Sequence, residues 1–112
     1  MSSLTAIMAL KALDALTMRA EVTSQNIANA DSPGYRPLRV TFEDALADAS
    51  TRGPDAVEAL EPTIERDPSA AESSGVRLDL QMATASMTTT RYAALVEILA
   101  LQLRQTRAVL GN

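Results

Sequence analysis

The chain has 112 residues, no Cys, no His and no Trp, and a formal net charge of −4. That length holds one domain. The composition excludes disulfide and thiol chemistry, and it removes the commonest general base and metal ligand. The apolar fraction is an ordinary 46%, but alanine supplies 20 residues and the aromatics are only Tyr35, Phe42 and Tyr92. Compact cores lean on aromatic side chains, so small apolar faces of this kind point to close helix-on-helix packing.

Residues 3–30 read as one helix. Ala6, Leu10, Leu13, Thr17, Ala20, Ser24 and Ile27 recur at steps of four and three, the 3.5-residue period of a coiled-coil seam. Such a helix would be ~42 Å long at ~1.5 Å per residue, more than a small globule made from the remaining chain would bury. Lys11 interrupts the N-terminal apolar run, which argues against a cleaved secretory signal. No apolar run reaches the length of a membrane span.

The helix must stop at Asn26-Ile27-Ala28-Asn29-Ala30-Asp31-Ser32-Pro33-Gly34-Tyr35. Pro33 fixes its own φ and drives Ser32 out of the α region. Pro33-Gly34 suits the centre of a type II turn, whose second central residue needs positive φ. Asn29, Asp31 and Ser32 have side chains suited to tying off the last helical carbonyls.

Residues 36–75 change character. Leu38 to Phe42 alternates, predicting a short extended piece; Phe42 to Ala47 predicts one or two helical turns. Nine acids against two arginines fall between residues 41 and 72, and Gly53-Pro54, Pro62 and Pro68 punctuate them. Large apolar residues are few (Val57, Leu60, Ile64), with a short strand expected near Val57–Ile64. Such a stretch reads as an extended, partly disordered acidic linker. No basic patch suggests a nucleic-acid partner.

Residues 76–112 carry the second long helix, with Asp79 or Ser74 as expected N-cap. Leu78, Met82, Ala85, Thr89, Tyr92, Val96, Leu99, Leu103, Thr106 and Leu110 continue the 3.5-residue period. Ala93, Ala94, Leu95, Ile98 and Leu101 spread the apolar surface beyond one stripe, so one partner helix cannot cover it. The expected fold is therefore all-α: residues 1–35 and 76–112 pair as a coiled-coil-like hairpin and pack as one domain, with the acidic middle between them. The remaining apolar faces need other subunits.

No catalytic constellation is present. The run Thr88-Thr89-Thr90 lacks a base, there is no phosphate-cradling glycine loop, and no cofactor or small-molecule substrate is expected. The reading is not an enzyme. On the residues alone, a soluble helical adaptor or chaperone-like hairpin stays open beside an assembling subunit.

The string Asn26–Tyr35 resembles the A-N-[AT]-x-[TS]-P-G-Y region near the N-terminus of the flagellar rod and hook axial proteins. At the other end, Gly75-Val76-Arg77-Leu78-Asp79-Leu80-Gln81-Met82 and Arg91-Tyr92-Ala93-Ala94-Leu95-Val96-Glu97-Ile98-Leu99 resemble the C-terminal pattern V-x-L-x-x-E-M…R-Y-x-x-x-V-x-x-L of proximal-rod members of that family. Gln81 stands where the family usually has Glu, Thr88 where Asn is common, and Ser73-Ser74-Gly75 replaces an Asn-rich lead-in. The resemblance implies a structural subunit exported unfolded by the flagellar type III apparatus, without a cleaved signal, and polymerised in the periplasm into the basal-body rod. Another rod subunit of the same family is the neighbouring reading. Implied partners are copies of the chain, other rod proteins, and components of the membrane-ring and export-gate junction. Asn26, Ile27, Ala28, Asn29, Ala30, Asp31, Ser32, Pro33, Gly34 and Tyr35 would form the assembly motif. Leu10, Leu13, Leu78, Met82, Tyr92, Val96, Leu99 and Leu103 would pack the inner helices.

Overall fold

A computed structural model describes residues 3–70 and 75–111, without the side chain of Ser3. Helix α1 (Ser3–Ala28) is followed by strand β1 (Leu38–Thr41), helices α2 (Glu43–Ser50) and α3 (Pro54–Ala59), strand β2 (Thr63–Arg66) and helix α4 (Leu78–Val109). Both long helices form within two or three residues of where the periodicity places them. Neither contains Gly or Pro after its first residue, so nothing interrupts the i→i−4 ladder. Four of the threonines inside them are accommodated by back-bonding: Thr17, Thr88, Thr89 and Thr90 hydroxyls donate to carbonyls four residues earlier at 2.7–3.0 Å, which satisfies a group that otherwise competes with the helix. The N-cap of α4 is Arg77, and Asp79 sits inside the first turn, paired with Arg77 at 2.8 Å. Asp79 is therefore not the cap; Ser74 lies outside the described residues.

The fold is not strictly all-α, because β1 and β2 form a two-stranded antiparallel sheet in the register Leu38↔Arg66, Arg39↔Glu65, Val40↔Ile64, Thr41↔Thr63. Arg39 and Glu65 stand directly opposite each other and pair at 2.6 Å, a cross-strand pair that supports the register. Asp67 N–H donates to the Pro37 carbonyl at 2.9 Å and extends the ladder by one bond.

The middle is also not an extended linker over its described length. Most of its large apolar residues turn inward, with Ile64 left about half exposed: Phe42, Leu46, Ala49 and Val57 join Ala15 and Leu16 of α1 in the main buried cluster. Leu4, Ile7, Met8 and Ala12 of α1, Ala56 and Leu60, and Leu95 of α4 pack around it. The acids occupy the outward faces, so a segment with a linker's composition folds by sharing α1's apolar side. Each large side chain removed from water contributes about 1.5–3 kcal/mol, so Leu16, Phe42, Leu46 and Val57 are the main apolar anchors of α2 and α3 on α1. Gly53, at φ +106°, makes the bend between α2 and α3, and Pro54 opens α3 at a position where its missing N–H costs nothing. Lys11 Nζ donates to the Leu60 carbonyl at 3.0 Å, tying the end of α3 back to α1.

α1 and α4 form an antiparallel hairpin, as expected, with the C-terminal end of α1 beside the start of α4. The two share a face of small and polar residues: Ala9, Leu16, Thr23 and Asn26 on α1, and Gln81 and Thr88 on α4, are buried. The 3.5-residue seams read from the sequence lie beside this contact face. α1 has neighbours on two sides, α4 and the middle segment, and satisfying both rotates its larger seam residues outward.

Candidate assembly surface

The end of α1 is organised by one amide. Asn26 is 1% exposed and uses its whole hydrogen-bonding capacity. Its Nδ2 donates to the Leu38 carbonyl at 2.8 Å and to Gln81 Oε1 at 2.9 Å. Its Oδ1 accepts from the Tyr35 hydroxyl at 2.8 Å and from the Leu38 amide at 3.0 Å. Two donors and two acceptor sites are all that a primary amide offers. Asn26 therefore pairs with the backbone of Leu38 as a strand would, while joining α1, the turn, β1 and α4 at one point.

Between Asn26 and Leu38 the chain reverses through the expected turn. Tyr35 N–H donates to the Ser32 carbonyl at 3.1 Å, with Pro33 and Gly34 between them and Gly34 at φ +74°. The helix end is tied off by Asn29, whose Nδ2 donates to the Gln25 carbonyl at 2.9 Å and whose Oδ1 accepts from Ser32 Oγ at 3.2 Å. Ala28, Asp31, Ser32, Pro33 and Gly34 are exposed; Ile27, Asn29, Ala30 and Tyr35 are half-buried. The motif thus separates into an inward part, Asn26 and Tyr35, which builds the junction, and an outward loop, Asp31–Gly34, open to other molecules.

A second junction lies two turns earlier on α1. Arg19 Nη1 and Nη2 donate to the two Glu43 carboxylate oxygens at 2.8 Å each. Arg19 Nε and Nη2 also donate to the Val40 carbonyl at 3.2 and 2.7 Å. The guanidinium carbon lies 4.9 Å from the centre of the Phe42 ring. A planar, forked cation can serve carboxylate, carbonyl and ring together. Glu43 also accepts from Arg91 of α4 at 3.2 Å. The Arg19 hydrogen bonds are the main reason the Glu43 carboxyl is lowered from an ordinary value of 4.5 to about 2. Sequence reading missed Arg19, Glu43 and Gln81 as junction residues. The available signal was a lone arginine on α1 facing a strongly acidic middle.

The residues expected to pack inner helices are mostly uncovered within one chain. Leu10, Leu78, Met82, Tyr92, Val96 and Leu103 are 41–62% exposed, whereas Leu13 and Leu99 are half-buried. From Leu103 to Gly111 every residue is exposed. Exposed apolar area on this scale marks an interaction surface. Between α1 and α4 an open groove of about 310 Å³ is lined by Leu16, Thr17, Ala20, Thr88, Thr89, Tyr92 and Ala93. The α1 seam (Thr17, Ala20) and the α4 seam (Thr89, Tyr92) therefore form the two walls of one groove. Among the described residues no acidic cluster of metal-site size occurs, and no helix is long and apolar enough to cross a membrane.

Comparison with known proteins falls on the same N-terminal region. The sequence model of the family described as "Flagella basal body rod protein" matches residues 5–36, which takes in most of α1 and the turn through Tyr35. The flagellar basal body rod protein FlgB of Aeromonas hydrophila is 50% identical over 38 residues, covering 34% of this chain and 29% of the relative. The matched stretch thus spans less than a third of that relative's length.

Proposed function

We propose that this chain, whose residues 5–36 match the flagella basal body rod family model, is a structural subunit of the bacterial flagellar rod at its proximal end. The observation that carries this reading is the coincidence of the matched segment with the Asn26–Tyr35 junction: the residues resembling the family are those that position α1, β1 and α4 relative to one another. The role is structural and not enzymatic, in keeping with the family.

In this reading the chain leaves the cytoplasm through the flagellar type III apparatus. It then polymerises in the periplasm with copies of itself and with other rod proteins, next to the membrane ring and export gate. Open helical polymers need different faces to meet on neighbouring subunits. The exposed stripe of α4, the α1–α4 groove and the outward Asp31–Gly34 loop supply three such faces. Leu10, Leu13, Leu78, Met82, Tyr92, Val96, Leu99 and Leu103 would become buried between subunits. A closed helical adaptor would leave the apolar side of α4 in water without a purpose, which favours assembly.

The test is electron microscopy of flagellar bases, with swimming assays, in cells carrying an in-frame deletion of the gene. Membrane rings without rods, and no swimming, are expected. Complementation by the intact chain should restore both, and complementation by Leu103→Asp should not, since Leu103 is 62% exposed and its loss spares the fold of the single chain. Complete rods and swimming in the deletion would overturn the reading.

A further inference from the structure

We propose that the groove between α1 and α4 receives the C-terminal turns of α4 from a second copy of this chain, with Arg104 and Arg107 of the entering helix facing Asp14 and Glu21 on the groove's outer lip. The biological use of this contact rests on the assembly reading above, but the contact itself is a property of the purified chain.

The groove has a shape that a helix fits. Its floor and walls are apolar or small, being Leu16, Ala20, Tyr92 and Ala93 with the threonines between them, and it follows two helices that run side by side. Its outer lip on α1 is acidic. Asp14 and Glu21 lie three residues before and four residues after Thr17, so they share the face of α1 on which Thr17 borders the groove. Both are exposed, and neither makes an ion pair among the described residues.

The entering segment is set by length. From the Asn26–Gln81 junction, α1 runs back to Ser3 and α4 runs on to Val109. The end of α4 consequently runs ~8 Å past the start of α1 at ~1.5 Å per residue. Leu103 and Leu110, two turns apart on one face of α4, are 62% and 69% exposed, and Val109 beside them is 86% exposed; none has cover in its own chain. Arg104 and Arg107 flank this face, exposed and without an ion-pair partner among the described residues. An apolar helix end bearing two free cations is complementary to an apolar groove bearing two free carboxylates. A helix end entering a different face of the next copy is a heterologous contact, which repeats without closing.

The chain contains no cysteine, so single-cysteine variants of the full chain report the contact directly. Thr17→Cys and Leu103→Cys would be mixed in equal amounts and mildly oxidised at increasing concentration, with far-UV circular dichroism confirming that both are folded. The expected product is predominantly the mixed disulfide between the two variants, at several times the yield of either homodimer. In a second arm, Asp14→Arg with Glu21→Arg in the acceptor should reduce that product at least tenfold. Adding Arg104→Glu with Arg107→Glu to the donor should restore it. Homodimers alone would mean symmetric pairing and overturn the proposal, as would absence of cross-linking at any concentration or failure of the reversed charges to rescue. These outcomes are independent of whether cells need the chain to swim.

Discussion

Replacing Asn26 by Ala tests whether one amide holds the two ends of the chain in register. The substitution removes four hydrogen bonds, to the Leu38 carbonyl and amide, the Tyr35 hydroxyl and Gln81 Oε1. The Gln81 bond lies between residues 1% and 8% exposed, where an abandoned polar atom costs about 1–3 kcal/mol. The other three partners are partly buried, and water replaces some of what is lost, at roughly 0.5–1 kcal/mol each. The expected destabilisation is therefore about 2.5–6 kcal/mol, of the order of a 10–30 °C fall in Tm for a domain of this size. Urea unfolding followed at 222 nm on the dilute chain measures it. Asn26→Asp keeps the shape and the acceptors but loses both donors and places a charge beside Gln81 Oε1 and the Leu38 carbonyl. Protonation of that carboxyl relieves the repulsion, so the defect of this variant should shrink as pH falls from 8 to 5. A double-mutant cycle with Gln81→Ala should give a coupling near 1 kcal/mol. A loss below 1 kcal/mol for Asn26→Ala, with no coupling to Gln81, would refute the reasoning and reduce Asn26 to an ordinary buried residue.

Two other junctions give predictions of the same kind. Glu43, lowered from 4.5 to about 2 by Arg19, contributes stability that is fully present above pH 4.5 and lost as pH falls towards 2. The pair is 14% and 45% exposed, so after solvent screening the contribution is about 1 kcal/mol. Glu43→Gln should flatten the acid limb of a stability-versus-pH curve by that amount, and an unchanged limb would remove Glu43 from the account. Gly34, at φ +74°, has nothing within 4 Å of where a Cβ would stand, so its replacement acts through the backbone alone. Gly34→Val should cost about 1–3 kcal/mol and abolish swimming, while Gly34→Asn, which tolerates the left-handed region, should retain both. Equal behaviour of the two variants would show that positive φ at this position is immaterial.

The sequence by itself determined the local elements. The two long helices follow from uninterrupted 3.5-residue periodicity, and the turn follows from Pro33 and Gly34. The exclusion of disulfide and thiol chemistry follows from the lack of cysteine. These are properties of neighbours along the chain, and local sterics decide them. Tertiary structure alone decided which face of each helix is covered. Seam residues such as Leu78, Tyr92 and Leu103 have the right spacing for burial, but spacing does not say by what, and α1 serves two neighbours at once. It also decided that the acidic middle folds. Phe42, Leu46, Ala49 and Val57 are too few to make a core unaided, and only the apolar side of α1 completes it. The register between the ends was equally hidden, because Asn26 and Gln81 are 55 positions apart in sequence, and no local pattern marks two amides as partners until the chain has brought them within 2.9 Å.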